Sequence, residues 1–115
     1  MPTITDATKA KDRIRDLNDA LRKTFVGGAV VSTSGISALP DMTRRKIMAA
    51  VRGFDAFTPN NDPHGEHDFG SLEIDGEKVF FKIDYYDRQM AMHSPDASEP
   101  AVTTRVLTIM LANEY

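Results

Sequence analysis

The stretch LEIDGEKVFFKIDYY, residues 72–86, decides the fold because it predicts a β-hairpin. Leu72 and Ile74 alternate with acidic residues before the dipeptide Asp75-Gly76, which favours the tight turn that joins two antiparallel strands. After the turn, residues 79–86 alternate again, as is typical of a strand with one buried face. The sequence therefore predicts two paired strands here.

A further strand is predicted downstream of the hairpin. The run VTTRVLTIML, residues 102–111, is rich in β-branched residues and is too continuously apolar for an exposed edge, which favours a central strand. A helix is the alternative, because periodicity alone does not settle short apolar runs. A polar connection, residues 87–100, precedes this run.

Upstream of the hairpin, the spacing of apolar residues predicts a first helix from Asp6 to about Thr24. Thr5 or Asp6 supplies the N-cap, and Gly27-Gly28 ends the helix, since glycine accepts a left-handed turn. The short β-branched run at residues 28–33 then predicts a strand.

A second helix is predicted to begin at Pro40, whose missing N–H has no partner in a first turn, and to close at Gly53. Its outer face is basic and carries Arg44, Arg45, Lys46 and Arg52. The order helix-strand-helix-strand-strand-strand indicates an α+β fold. We expect a single domain, residues 1–115, with two helices packed on one face of a four-stranded, mainly antiparallel sheet.

Composition limits the classes of protein to which the chain can belong. Of 115 residues, 41% are apolar and 27% are charged, and the chain has no Cys, which excludes a disulfide-stapled module and thiol chemistry. No apolar run approaches the ~20 residues that span a bilayer. The N-terminal residues lack the apolar core of a signal peptide, so we expect a cytoplasmic protein without a membrane partner.

Charge is distributed unevenly along the chain. Residues 1–53 hold ten Lys and Arg against five Asp and Glu, whereas residues 54–115 hold four against twelve. One interpretation is an acidic surface that attracts a basic protein and repels nucleic acid. The other is that the two halves pack together and neutralise one another.

The polar segment NNDPHGEHD, residues 60–68, lies in a long loop rich in turn-forming residues. Imidazoles and carboxylates are ligands of divalent metals, so this segment is a candidate metal site, with Asp84 as a further ligand. The candidate ligands are His64, His67, Asp68 and His93. Alternatively, the carboxylates cap turns and the histidines pack locally.

Acid–base chemistry is a second possibility for this loop. Histidine is the side chain best suited to proton transfer near neutral pH, so His67 is the candidate proton-transferring group, with Glu66, Asp68 or Asp84 orienting it. The sequence offers no G-x-S-x-G nucleophile elbow and no glycine-rich phosphate loop. These absences favour a protein that is not an enzyme and has no cofactor, with a divalent metal as the alternative.

Tyrosines on the second hairpin strand suggest a protein interface. Tyr85 and Tyr86 point to opposite faces, so one is expected in the core and the other on the surface. An exposed tyrosine among acids suits a protein partner with a basic surface better than direct nucleic-acid binding. The candidate partner-binding residues are Asp62, Glu66, Asp68, Asp84, Tyr86 and Asp87.

Four motifs resemble an uncharacterised bacterial family, the domain of unknown function numbered 3768. They are LNDALR at residues 17–22, NDPHGEHDFG at 61–70, KIDYYD at 82–87 and TRVLTIMLANEY at 104–115. The resemblance supplies no catalytic residues. It implies small stand-alone proteins of mobile genetic elements, among which acidic proteins often block host defence by occupying basic surfaces.

Three hypotheses about function follow. The leading one is a binding protein that inhibits host defence, as an anti-CRISPR or anti-restriction protein, by protein–protein contact through an acidic surface. The second is a metal-dependent enzyme centred on the cluster in the 60–70 loop. The third is an accessory domain that forms a homodimer through an exposed sheet edge.

Overall fold

The computed structural model of the protein describes the backbone of residues 6–115 and the side chains of residues 8–115. Within these residues the chain forms three α-helices and four β-strands. In chain order they are α1 (Asp6–Thr24), β1 (Ala29–Ser32), α2 (Ser34–Ser37), α3 (Asp41–Arg52), β2 (Phe69–Ile74), β3 (Glu77–Tyr86) and β4 (Thr104–Leu111). The fold is therefore α+β, as expected.

The four strands form one mixed sheet in the order β1-β4-β3-β2. β3 pairs antiparallel with both β2 and β4, but β1 pairs parallel with β4, with Ala29 opposite Val106. The expectation of a mainly antiparallel sheet was wrong. Parallel neighbours need a long crossover connection, and the segment between β1 and β4 supplies one. Side-chain alternation does not encode strand direction, so the sequence pattern could not show this pairing.

The predicted hairpin is confirmed. Asp75 and Gly76 have φ angles of 53° and 81°, the left-handed pair that a two-residue hairpin turn requires. β4 is confirmed as a strand and occupies a central position between β1 and β3. It begins at Thr104, because Pro100–Val102 form a 3-10 turn before it. The helical alternative for this run was wrong.

The helices differ from the prediction in three details. α3 begins at Asp41, and Pro40 is its N-cap residue instead of its first residue. α1 ends at Thr24 as expected, but the left-handed residue that follows it is Phe25 (φ 60°), not a glycine, and the Phe25 N–H donates to Leu21 O at 2.7 Å. α2 was not predicted; its Ile36 is fully buried. The expected N-cap at Thr5 or Asp6 lies outside the described side chains. Among residues 6–115, no helix combines the length and apolarity that a bilayer crossing needs.

The core joins helices to alternating positions of the two central strands. Leu21, Ile36, Ile47 and Val51 come from the helices. They form one buried cluster with Val79, Phe81, Ile83, Leu107 and Ile109 of β3 and β4. Burial of each large side chain contributes about 1.5–3 kcal/mol. This cluster therefore fixes the helices to β3 and β4, the elements from which the candidate site is built.

One glycine is required by close packing in this core. A Cβ on Gly70 of β2 would collide with the Phe81 ring and meet the Phe54 ring at 3.0 Å. Phe54 and Phe57 pack edge-on, with ring centroids 4.9 Å apart, and both lie against Phe81. The start of the 53–68 loop is therefore fixed to the sheet by aromatic contacts.

Candidate functional site

The last two residues of the polar loop before β2, His67 and Asp68, line different pockets. His67 has a left-handed φ of 57° and lines a pocket with His64 and Asp62. Asp68, the next residue, lines a separate pocket with Asp84 and His93. The predicted histidines and carboxylates therefore form two groups.

The first group is the His67 cluster, which consists of Asp19, Phe57, Asp62 and His67. His67 Nδ1 donates to Asp19 Oδ1 at 2.8 Å, and its Nε2 lies 3.7 Å from Asp62 Oδ2. The imidazole stacks on the Phe57 ring at a centroid distance of 3.9 Å and an angle of 4°. The buried Asp62 carboxylate also accepts the His67 backbone N–H at 3.2 Å. These contacts bind the loop to α1.

Arg22 of α1 extends the same attachment to α3. Its side chain is 1% exposed, and Nη2 donates to Asp19 at 3.1 Å. Nη1 donates to Val51 O at 3.1 Å and to Phe54 O at 2.7 Å, beyond the last turn of α3. A cation at the C-terminal end of a helix is favoured by the helix dipole. The Asp19 carboxylate is thus shared between Arg22 and His67.

A second buried assembly, the Asn18 network, consists of Asn18, Glu66, Tyr85 and Arg105. Asn18 is fully buried; its amide donates to Glu66 O at 3.0 Å and to the Tyr85 hydroxyl at 2.8 Å. Its side-chain oxygen accepts from Arg105 Nε at 2.8 Å. The Tyr85 hydroxyl donates to Glu66 Oε1 at 2.8 Å. One asparagine thus joins α1, the loop, β3 and β4.

Burial governs the protonation of this network. It raises the pKa of Tyr85 above its ordinary value, so the phenol stays neutral and donates to Glu66. Burial also lowers the pKa of Arg105, which is still positive because a guanidinium does not lose its proton in proteins. The Arg105 guanidinium lies 5.2 Å from the centre of the Tyr85 ring. Each of the four side chains of the network therefore makes at least one hydrogen bond within the fold.

The second group lies at the carboxyl end of β3. One pocket of about 300 Å³ is lined by Asp68, Ile83, Asp84, Tyr85, Tyr86 and His93. A second pocket of about 490 Å³ shares His93 and is lined mainly by apolar surface, including Met92. We call six of the residues around these pockets the β3-end surface: Asp68, Asp84, Tyr86, Asp87, Met92 and His93. Arg88, beside Asp87, also lines the second pocket.

The segment after β3 folds back and builds this surface. The Asp87 N–H donates to Met92 O at 2.9 Å, and the Ser94 N–H donates to Tyr85 O at 3.0 Å. His93 forms an isolated bridge with Tyr86. Met92 is 72% exposed, so an apolar side chain stands in solvent beside the acidic residues.

The ionised form of Asp68 is disfavoured by its surroundings. Burial, followed by the neighbouring Glu66 carboxylate, raises the pKa of Asp68 above its ordinary value of 3.8. Among the described side chains no Lys or Arg forms an ion pair with it, whereas Asp84 pairs with Lys82 at 3.0 Å. A cationic group that entered the pocket would relieve the repulsion between Asp68 and Glu66.

The sequence-predicted metal ligands do not meet. His64 and His67 line one pocket, and Asp68 and His93 line another. Within residues 8–115, no three His, Asp or Glu side chains are placed to share a metal ion. The candidate catalytic residues diverge too, because His67 contacts Asp19 while Glu66 accepts from Tyr85.

The predicted partner-binding residues divide in the same way. Asp62 is only 8% exposed, and Glu66 is held by Tyr85. The other four, Asp68, Asp84, Tyr86 and Asp87, line the two adjoining pockets. Asp87 also accepts the Ala91 N–H at 3.0 Å, so it fixes the turn that follows β3.

Sequence reasoning missed Asn18 and Arg105, which organise the buried network. Each leaves a signal in the sequence. Asn18 lies four residues after Ile14, on the apolar face of α1, and Arg105 is the single charged residue in the apolar run at residues 102–111. A polar residue at a core position indicates a buried hydrogen-bonding network.

The α+β fold therefore carries two groups of polar residues. One group is hydrogen-bonded within the fold, and the other lines two adjoining pockets. The family described as "Protein of unknown function (DUF3768)" matches residues 32–114, and the chain belongs to this family. The match begins within β1, so the LNDALR motif of α1 lies outside it. No curated protein and no solved structure matches the chain.

Proposed function

We propose that this chain is a binding protein, not an enzyme, and that its β3-end surface engages a basic region of another protein. The observation that carries the proposal is the convergence of Asp68, Asp84, Tyr86 and His93 around one pocket beside an exposed apolar patch. Protein interfaces combine such an apolar centre with a polar rim, and tyrosine is frequent at their hot spots.

The electrostatics of Asp68 suit a cationic partner. Its carboxylate is half-buried next to Glu66, and among the described side chains no Lys or Arg forms an ion pair with it, so its ionised form is disfavoured. An arginine or lysine from a partner would supply the missing charge. An acidic rim would also raise the association rate with a basic surface at low salt.

We also infer that the helices pack on one face of the sheet. Core residues occupy alternate positions 79, 81 and 83 of β3, so the intervening Phe80, Lys82, Asp84 and Tyr86 point the other way. The β3-end surface is then continuous with this second face, on which these four side chains are partly exposed while Val106 and Met110 of β4 are buried. This arrangement offers a partner more area than the pockets alone.

The target that we propose is a component of host defence. The mobile-element context implied by the family resemblance favours an anti-CRISPR or anti-restriction protein, whose targets bind nucleic acid through basic surfaces. Such an inhibitor works by occupying the basic surface. It needs neither a cofactor nor a catalytic group.

The test is a reciprocal pull-down between the full chain and purified CRISPR effector complexes and restriction enzymes of the host. Any complex is then titrated by biolayer interferometry at two salt concentrations. We expect Tyr86→Ala to weaken binding about tenfold or more, as for an interface hot spot, and Asp68→Asn to weaken it while reducing its salt dependence.

Asp55→Asn is the matched control. Asp55 is an exposed acid outside the β3-end surface, so the same change of charge there should leave affinity within about twofold. If the two substitutions weakened binding equally, binding would depend only on the net charge of the chain. That result would contradict the proposed surface. If the pull-down enriched no defence complex, the proposed target would be ruled out.

A further inference from the structure

A further pocket is lined by residues of the basic N-terminal half of the sequence. It has a volume of about 570 Å³ and lies between α2, α3 and the end of β1. Ile36, Met48 and Ala49 contribute apolar surface to it. Its charged residues are Asp41, Arg44, Arg45 and Arg52. We call it the arginine groove; its three arginines outnumber its one acid.

The arginines of this groove are held in position. Arg44 donates to Asp41 and to Ser37 O, and Arg45 pairs with Asp41 at 3.3 Å. Arg52 Nε donates to Lys23 O at 2.9 Å, and its guanidinium lies 5.4 Å from the centre of the Phe25 ring. Arg45 is still 76% exposed. Positioned guanidinium groups lose less entropy when they bind a carboxylate.

The free edge of β1 borders the same groove through Ser32. β1 pairs with β4 on one side, and the Thr33 N–H donates to Ile109 O. Backbone groups alternate between the two sides of a strand, so those of Val30 and Ser32 point away from β4. An exposed strand edge is a template for a further strand.

We propose that the arginine groove binds an extended acidic segment of a partner protein, which adds as a strand to the edge of β1. The main chain of the segment pairs with Val30 and Ser32, and its carboxylates bind the arginines. This mode combines strand addition with charge recognition. A single-stranded nucleic acid fits less well, because none of the residues that line the groove is aromatic, and bases need aromatic side chains on which to stack.

The test uses a blocked ten-residue peptide in which glutamate alternates with valine, labelled for fluorescence anisotropy, and the full chain. The controls are the same peptide with lysine for glutamate and a ten-nucleotide oligothymidine. We expect the glutamate peptide to bind more tightly than both. Arg45→Glu and Ser32→Pro should each weaken its binding about fivefold.

Arg88→Glu is the matched control, because Arg88 is an exposed arginine outside this groove, and it should change affinity by less than about twofold. Hydrogen exchange should show that the peptide protects the Ser32 amide. This measurement on the unmutated chain keeps the test valid if a variant folds poorly.

Three results would overturn the inference. The first is equal binding of the lysine peptide, and the second is tighter, Arg45-dependent binding of the oligonucleotide. The third is a dimer in sedimentation that Ser32→Pro dissociates, which would assign the edge to a second copy of the chain. None of them bears on the β3-end surface, so the two proposals fail separately.

Discussion

The two sides of the loop that ends at Asp68 differ in how completely their polar groups are paired. On the α1 side, His67 is held by Asp19, Asp62 and the Phe57 ring. On the β3 side, Asp68 has an acidic neighbour and no ion-pair partner among the described side chains. Residues adjacent in sequence therefore differ in whether their polar groups are paired within the fold.

This difference separates stability from binding. A group whose hydrogen bonds are all made within the fold stabilises the fold and has little left to offer a ligand. A carboxylate that burial and a like charge disfavour costs stability, and such residues are enriched at functional sites. Substitutions on the two sides should consequently have opposite effects on folding.

Asn18→Ala should have the largest effect on stability. It removes the acceptor of Arg105 and the donor to Tyr85 and Glu66 in a fully buried position. We expect the free energy of unfolding to fall by about 3 kcal/mol, because a buried charged donor is left unpaired. Urea denaturation measures it. A loss no greater than that of an exposed control, Asp16→Ala, would show that the network contributes nothing.

His67→Asn and His93→Asn form a matched pair. The first removes the bond to Asp19 and the stacking on Phe57, and should cost about 1.5 kcal/mol. The second changes an exposed histidine and should stay within about 0.5 kcal/mol. Thermal or urea unfolding distinguishes them, and equal losses would erase the contrast between the two sides.

Tyr85→Phe and Tyr86→Phe test neighbouring hydroxyl groups on opposite faces of β3. The Tyr85 hydroxyl bonds to Asn18 and Glu66, so its removal should cost about 1 kcal/mol. Removal of the Tyr86 hydroxyl should leave unfolding nearly unchanged and should affect only partner binding. Chemical denaturation of both variants checks the prediction, and the reverse order would contradict it.

Asp68→Asn should change the free energy of unfolding only slightly, and in the opposite direction to the substitutions on the α1 side. Because the pKa of Asp68 is raised in the folded protein, ionisation disfavours folding as the pH rises above the ordinary value of 3.8. Asparagine should raise the free energy of unfolding at pH 7 by less than about 1 kcal/mol. The gain should vanish below the ordinary pKa. A destabilised variant at pH 7 would contradict this account.

Local patterns predicted most elements of the fold but not their assembly. The Asp75-Gly76 turn and the alternation after it act over a few residues, so they identify β2 and β3. α2 escaped prediction because SGIS is too short to show periodicity. The parallel pairing of β1 depends on contacts with a strand far along the chain, which no local pattern contains.

The candidate site was predicted in part for the same reason. The 60–68 segment was recognised by its composition, and Asp68 and His93 do line one pocket. His67, whose φ of 57° is left-handed, lines a different pocket. The partners Asn18 and Arg105 come from α1 and β4, which are far from the loop in sequence. Only the folded chain therefore shows which polar groups of the loop have hydrogen-bonding partners.

The pairing of Ala29 with Val106 has a consequence for biosynthesis. A nascent chain leaves the ribosome from its amino end, so β1 emerges long before the strand that completes its hydrogen bonding. Until then Val30 and Val31 offer an unpaired, β-branched segment to other polypeptides. Chaperone protection during translation would therefore matter more for this protein than for a helical domain of equal length.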